Sequence, residues 1–198
     1  MAKRSAAGFE SRLRTRIHIK DATQKLHALI LHISQQLADD PSFGATKLNK
    51  TLWRIDFTAF AARGTPITGL SYQKLEKGPV LRSMPHVIRE MQEQDKIGYL
   101  DLPALGGKKT RKVVIPRKTI SLDDLFTDEE QAIIAFCINL ERGKTATQSS
   151  RDSHVPAVEM TELKHDIPYE LALISERRPS RAAFEHAKKL AVALAKRN

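Results

Sequence analysis

The sequence predicts a mainly helical α+β fold: a compact multi-helix domain with a short strand and a basic β-hairpin. Three observations predict it. Apolar residues recur at spacings of three and four over several stretches, the period of one helix face. Capping residues, glycines and prolines punctuate those stretches at the expected ends. Strand character is confined to two short regions, 67–75 and 99–115, the second folded about Gly106 and Gly107. No internal repeat or low-complexity tract interrupts the pattern, so residues 1–20 are expected to form a basic arm and 21–198 one domain.

The elements follow in order. Asp21 is placed to cap a first helix, whose inner face is Leu26, Leu29, Ile30, Ile33 and Leu37. Asp39, Asp40 and Pro41 end it, because proline disfavours helix in the residue before it. A second helix begins near Thr46 with Leu48, Leu52, Ile55 and Ala59 inward. Trp53, Phe57 and Phe60 widen that stripe toward an all-round apolar helix. Such a helix is central, with Trp53 as a packing anchor. Asp56 beside Ile55 and Phe57 must then find hydrogen bonds or a cation inside, because burying a carboxylate unpaired is costly.

Gly64 suits the positive φ that closes this helix. Residues 67–75 read as a short strand broken by Gly78 and Pro79, and Pro79 suits the first turn of a third helix carrying Val80, Met84, Val87, Ile88 and Met91. A hairpin follows, with a basic cluster at Lys108, Lys109, Arg111 and Lys112. Thr127 and Glu130 form a capping-box start for a helix that Gly143 closes. A short helix is expected near 145–151, an extended or turning stretch at 167–171, and a last helix after Pro179.

Composition narrows the function. The 198 residues carry a formal net charge of +10. That favours an acidic partner, whether nucleic acid, protein or anionic surface. The basic arm, with Arg12, Arg14 and Arg16, either contacts nucleic acid or solubilises the chain. The basic hairpin either touches phosphates as the wing of a winged helix or is an edge protected by lysines. The single cysteine, Cys137, excludes an internal disulfide, and its apolar helical setting reads as a buried inert thiol. No apolar run approaches a membrane span and no apolar signal core follows the N-terminus, so a cytoplasmic location without membrane contact is expected. There is no phosphate-binding glycine loop, no zinc-protease helix motif and no nucleophile elbow. His154 and His165 stand eleven apart among acids, a spacing that matches no standard metal site. No catalytic residue, metal or cofactor is assigned.

Several motifs, in order, resemble the Panacea or SocA-like antitoxin domain of bacterial and phage toxin–antitoxin systems. They are Lys47 to Lys50 leading the central helix, then Asp56 and Phe57, then Gly64 to Gly69. Tyr72 to Leu75 and the Gly78–Pro79 pair follow. The capped acidic helix at Thr127, the Ser153–His154 pair and Ile167 to Glu170 complete the set. The resemblance runs from about Leu26 to the last helix. The family pattern has a tryptophan shortly after the Ser-His pair; here Val155 to Glu159 follow and Trp53 is the only tryptophan.

The resemblance implies an antitoxin that binds and neutralises a cognate protein toxin, not an enzyme. In the SocA type the antitoxin instead delivers its toxin to a protease. Some relatives also bind operator DNA to repress their own operon. On this reading the partner contacts are expected from Lys47, Asn49, Lys50, Arg63, Tyr72, Lys77, Arg82 and Tyr99. Trp53, Asp56, Gly78 and Pro79 serve as structural anchors.

Overall fold

A computed structural model describes residues 19–104 and 110–174. The expected arm contacts at Arg12, Arg14 and Arg16, the hairpin tip with Lys108 and Lys109, and the helix after Pro179 lie outside the described residues. The architecture is α+β. In chain order it runs α1 (Ala22–Gln36), α2 (Ala45–Arg63), β1 (Tyr72–Leu75), β2 (Gly78–Leu81), α3 (Met84–Glu93), β3 (Ile97–Pro103), β4 (Thr110–Pro116), α4 (Asp128–Glu141), α5 (Ala146–Asp152), α6 (Pro156–Glu159) and a 3-10 turn, Tyr169–Leu173. The strands form two separate antiparallel pairs, β1 with β2 and β3 with β4.

Helix α2 is the hub. It packs against α1, α4, α5, β2, β4 and the 3-10 turn. Its apolar residues point in several directions because it has neighbours on several sides: Leu48, Leu52, Trp53, Ile55, Phe57, Ala59 and Phe60 are all buried. Phe57 is the centre of an aromatic group, with ring centroids 5.2 Å from Trp53, 6.0 Å from Tyr72 and 4.7 Å from Tyr169. Such tilted and edge-on pairs add to plain area burial. The Tyr169 hydroxyl donates to the Leu70 carbonyl at 2.7 Å, which fixes the 3-10 turn against the strand entry.

Local chemistry explains the boundaries. Gly64 closes α2 in the left-handed region at φ 77°, as its position predicts. The Thr127–Glu130 capping box forms with both reciprocal hydrogen bonds, and a second one forms at Thr145 and Gln148 to start α5. The β3–β4 hairpin pairs Ile97 with Pro116 through to Pro103 with Thr110.

Two expectations are corrected. Asp21 is left-handed (φ 57°), and its side chain makes no cap hydrogen bond; its backbone carbonyl accepts from Lys25 instead. Pro79 does not open a helix. It lies in β2 opposite Lys74, and α3 starts later, at Met84. Proline is tolerated there because the Lys74 amide and carbonyl bond outward, to the His165 carbonyl and the Lys164 amide. No ladder donor is required of Pro79. The same outward bonds add 164–167 to the free edge of β1, through a bridge between Gln73 and Asp166.

Candidate functional site

The head of α2 is where distant parts of the chain meet. Two lysines one turn apart leave its first turns and both run inward. Lys47 is 0% exposed; its ammonium bonds Asp40 at 2.6 Å and donates to the Lys144 carbonyl at 2.7 Å. Asp40 also accepts from the amides of Ser42 and Gly143. This buried pair ties the α1–α2 connection to the α4–α5 connection. The hydrogen bonds from Lys47, Gly143 and Ser42 hold the Asp40 carboxyl below its usual range, against the opposing effect of burial.

Lys50 is 1% exposed, and its ammonium donates to the Pro79 carbonyl at 2.9 Å. Burial pushes its pKa down to about 8, with the charge of Glu141 acting in the other direction. Asn49, between the two lysines, accepts from the Leu81 amide at 3.2 Å and donates back to the Ala45 carbonyl. The helix head therefore holds β2 by two side chains.

Gly78 closes this arrangement. Its φ is +89°, and a Cβ built on it would come within 3.0 Å of the Ser153 hydroxyl, 3.0 Å of the Lys50 ammonium and 3.5 Å of His154 Nε2. Ser153 is fully buried and donates to the Ser150 carbonyl, while His154 Nδ1 lies 2.8 Å from Glu159. Lys50, Gly78–Pro79 and Ser153–His154, up to about a hundred residues apart in sequence, thus form one cluster. Lys50 lines a cavity of 450 Å³ and His154 one of 500 Å³, and a third of 620 Å³ lies beside them. Thr46 and Lys77 line all three, which makes them lobes of one groove.

The remaining expected residues divide by environment. Tyr72 is buried, and its hydroxyl donates to Asp56 at 2.8 Å. Asp56, fully buried, also accepts from the Ile67 and Thr68 amides and the Thr68 hydroxyl. It is satisfied by hydrogen bonds, not by a cation. Burial raises its pKa and the hydrogen bonds oppose the rise. Arg63 donates to Glu130 at 2.6 Å, where Lys25 also bonds at 2.9 Å, so that carboxylate joins α1, α2 and α4. Arg82 makes a two-nitrogen contact with Asp166 and stays exposed. Tyr99 is 37% exposed on β3, beneath the Lys112 ammonium. Arg111 turns inward to the carbonyls of Phe43 and Pro103. Lys77 is exposed at the tip between β1 and β2.

Lys47, Lys50 and Tyr72 are thus internal in this structure, while Lys77, Arg82 and Tyr99 are at the surface. Sequence reasoning missed Asp40, Glu141 and Ser153 as internal partners. The signal was present for Asp40 alone, seven residues before Lys47. Cys137 is buried and its thiol is pushed up to about 11, as expected of an unreactive cysteine. No cluster of His, Cys, Asp and Glu suited to a metal exists among the described residues. No helix among them is long and apolar enough to cross a membrane.

The fold is an α+β domain whose hub helix opens at its head into a groove lined by cations. Its family is shown by comparison: the family model described as "Antitoxin SocA-like, Panacea domain" matches residues 48–157, more than half of the chain. The chain belongs to that family. No match was found among curated proteins or solved structures.

Proposed function

We propose that this chain is an antitoxin that neutralises a cognate protein toxin by direct binding, without catalysis. The observation that carries the reading is the family match over 48–157. Its span contains Lys50, Gly78–Pro79 and Ser153–His154, the residues that meet at the groove. A rigid surface supports this reading. The groove walls come from α2, the β1–β2 hairpin and α5; Lys50 and Asn49 tie α2 to β2, and Ser150 of α5 donates to the Lys77 carbonyl. Neutralisation by occlusion needs a stable interface, on the order of 1,200 Å² or more. The groove and the surfaces beside it, including Lys77, Arg82 and Tyr99, supply the exposed cationic and aromatic groups such interfaces use as anchors.

Co-expression tests the proposal. The product of a neighbouring gene is expected to arrest growth alone and to be harmless together with this chain, with the two proteins recovered as a stable stoichiometric complex. Loss of toxin that depends on a protease, with no stable complex, replaces direct neutralisation by delivery for degradation. Absence of any rescued toxin removes the antitoxin reading.

A further inference from the structure

The groove at the head of α2 has a one-sided charge. Lys77, Lys164, Arg151 and Lys112 line its lobes and are exposed, while Glu76 is the one carboxylate among the described lining residues. Among the described residues, no ion pair engages Lys77, Lys164 or Arg151. Lys50, also a lining residue, brings a buried ammonium that bonds the Pro79 carbonyl and has no carboxylate within ion-pair distance among the described residues.

Beside these cations the largely apolar first lobe is walled by Leu75, Val80 and Leu163. Among the described residues no phenylalanine, tyrosine or tryptophan lines any lobe, so these supply no aromatic platform on which unpaired bases stack. Lobes of 450, 500 and 620 Å³ each have room for side chains.

Resting on the antitoxin reading, we propose that the groove receives an extended segment of the protein partner in which acidic and apolar side chains alternate. Its carboxylates meet Lys77 and Lys164, and its apolar side chains lodge against Leu75, Val80 and Leu163. Alternation suits the site because one lobe offers both cations, Lys77 and Lys164, and apolar walls. An extended chain presents successive side chains to opposite sides.

Fluorescence anisotropy on the full chain tests this with three labelled probes: a Glu-Leu-Glu-Leu-Glu-Leu peptide, the same peptide with Gln for Glu, and an oligothymidine of the same net charge. The Glu-Leu peptide is expected to bind at least about tenfold tighter than either other probe. The Lys77→Glu/Lys164→Glu double variant is expected to lose that preference, since each exposed pair becomes a repulsion. Both sites are exposed, so an unchanged Tm establishes that the variant folds. Equal binding of the Glu and Gln peptides overturns the proposal. Preferential binding of oligothymidine, lost in the double variant, overturns it in favour of a nucleic-acid groove. In cells, a double variant that still neutralises the toxin in full removes the groove as its seat and leaves the antitoxin reading standing. Selective Glu-Leu binding by a chain that neutralises no neighbouring toxin supports the groove and counts against that reading alone.

Discussion

Replacing Gly78 by alanine combines two separable costs. The first is conformational: φ is +89°, where an L side chain meets its own backbone, at roughly 1–2 kcal/mol. The second is steric. The new Cβ would lie within 3.0 Å of Ser153 Oγ and 3.0 Å of Lys50 Nζ. Neither can move freely, because Ser153 is fixed to the Ser150 carbonyl at 2.6 Å and Lys50 to the Pro79 carbonyl. Overpacking of this kind costs about 1–3 kcal/mol. The sum, roughly 2–5 kcal/mol, is a large part of the 5–15 kcal/mol that stabilises an ordinary domain.

Gly143 provides the control. Its φ is +75° and a Cβ there meets nothing within 4 Å, so Gly143→Ala incurs the conformational cost alone. Urea unfolding is expected to show Gly78→Ala less stable than Gly143→Ala by about 1–3 kcal/mol. Removing the hydroxyl should relieve part of the clash, so Gly78→Ala/Ser153→Ala is expected to be less damaging than the sum of its single changes by about 1 kcal/mol. Equal losses at the two glycines, or strict additivity with Ser153→Ala, refute the close approach and leave only the backbone requirement.

Four further substitutions test the hydrogen-bond and ion-pair assignments. Asp56→Ala strands four buried donors and is expected to cost at least about 4 kcal/mol. Asp56→Asn keeps an acceptor for the Ile67 and Thr68 amides and is expected to lose about half as much; equal losses in urea melts contradict the assignment of the bonds. Thr127→Ala removes one cap and should cost about 1 kcal/mol, whereas Glu130→Ala also unpairs Lys25 and Arg63 and should cost about 3 kcal/mol; similar thermal shifts for the two deny Glu130 its role between three helices.

Lys50 gives a pH dependence. Its folded pKa of about 8 lies below the 10.5 of a free lysine. Below pH 8 the group is charged in both states and the cost of burying it is fully present. Between 8 and 10.5 the folded form sheds its proton first, the unfolded chain binds more protons, and stability rises with pH. Relative to Lys50→Met the wild type should gain about 3 kcal/mol across that window. The thiol of Cys137 is common to both proteins and cancels. A flat difference curve contradicts the burial of the ammonium.

Most of the fold was legible because its determinants are local. Helix faces, the Gly64 terminus, the Thr127 capping box and the β3–β4 hairpin rest on residues a few positions apart. The burial of Trp53 and the internal satisfaction of Asp56 followed from the apolar stripe around them. What stayed hidden depends on partners far along the chain. Lys47 and Lys50 look like solvated residues at a helix head. Their acceptors, the carbonyls of Lys144 and Pro79, are invisible to any local pattern. Pro79 reads as a helix opener because nothing nearby discloses that Lys74 turns its backbone bonds toward 164–165. The groove was hidden for the same reason: it exists only once α2, the β1–β2 turn and the α5–α6 region are brought together.

The central claim is that this chain is a protein-binding antitoxin. Recovering the tagged chain from its native host and identifying its bound partner by mass spectrometry tests it most directly. The expected result is a stoichiometric small protein that arrests growth when expressed alone and is silenced by this chain. A chain that returns without such a partner, or bound to a protein whose expression is harmless, contradicts the account.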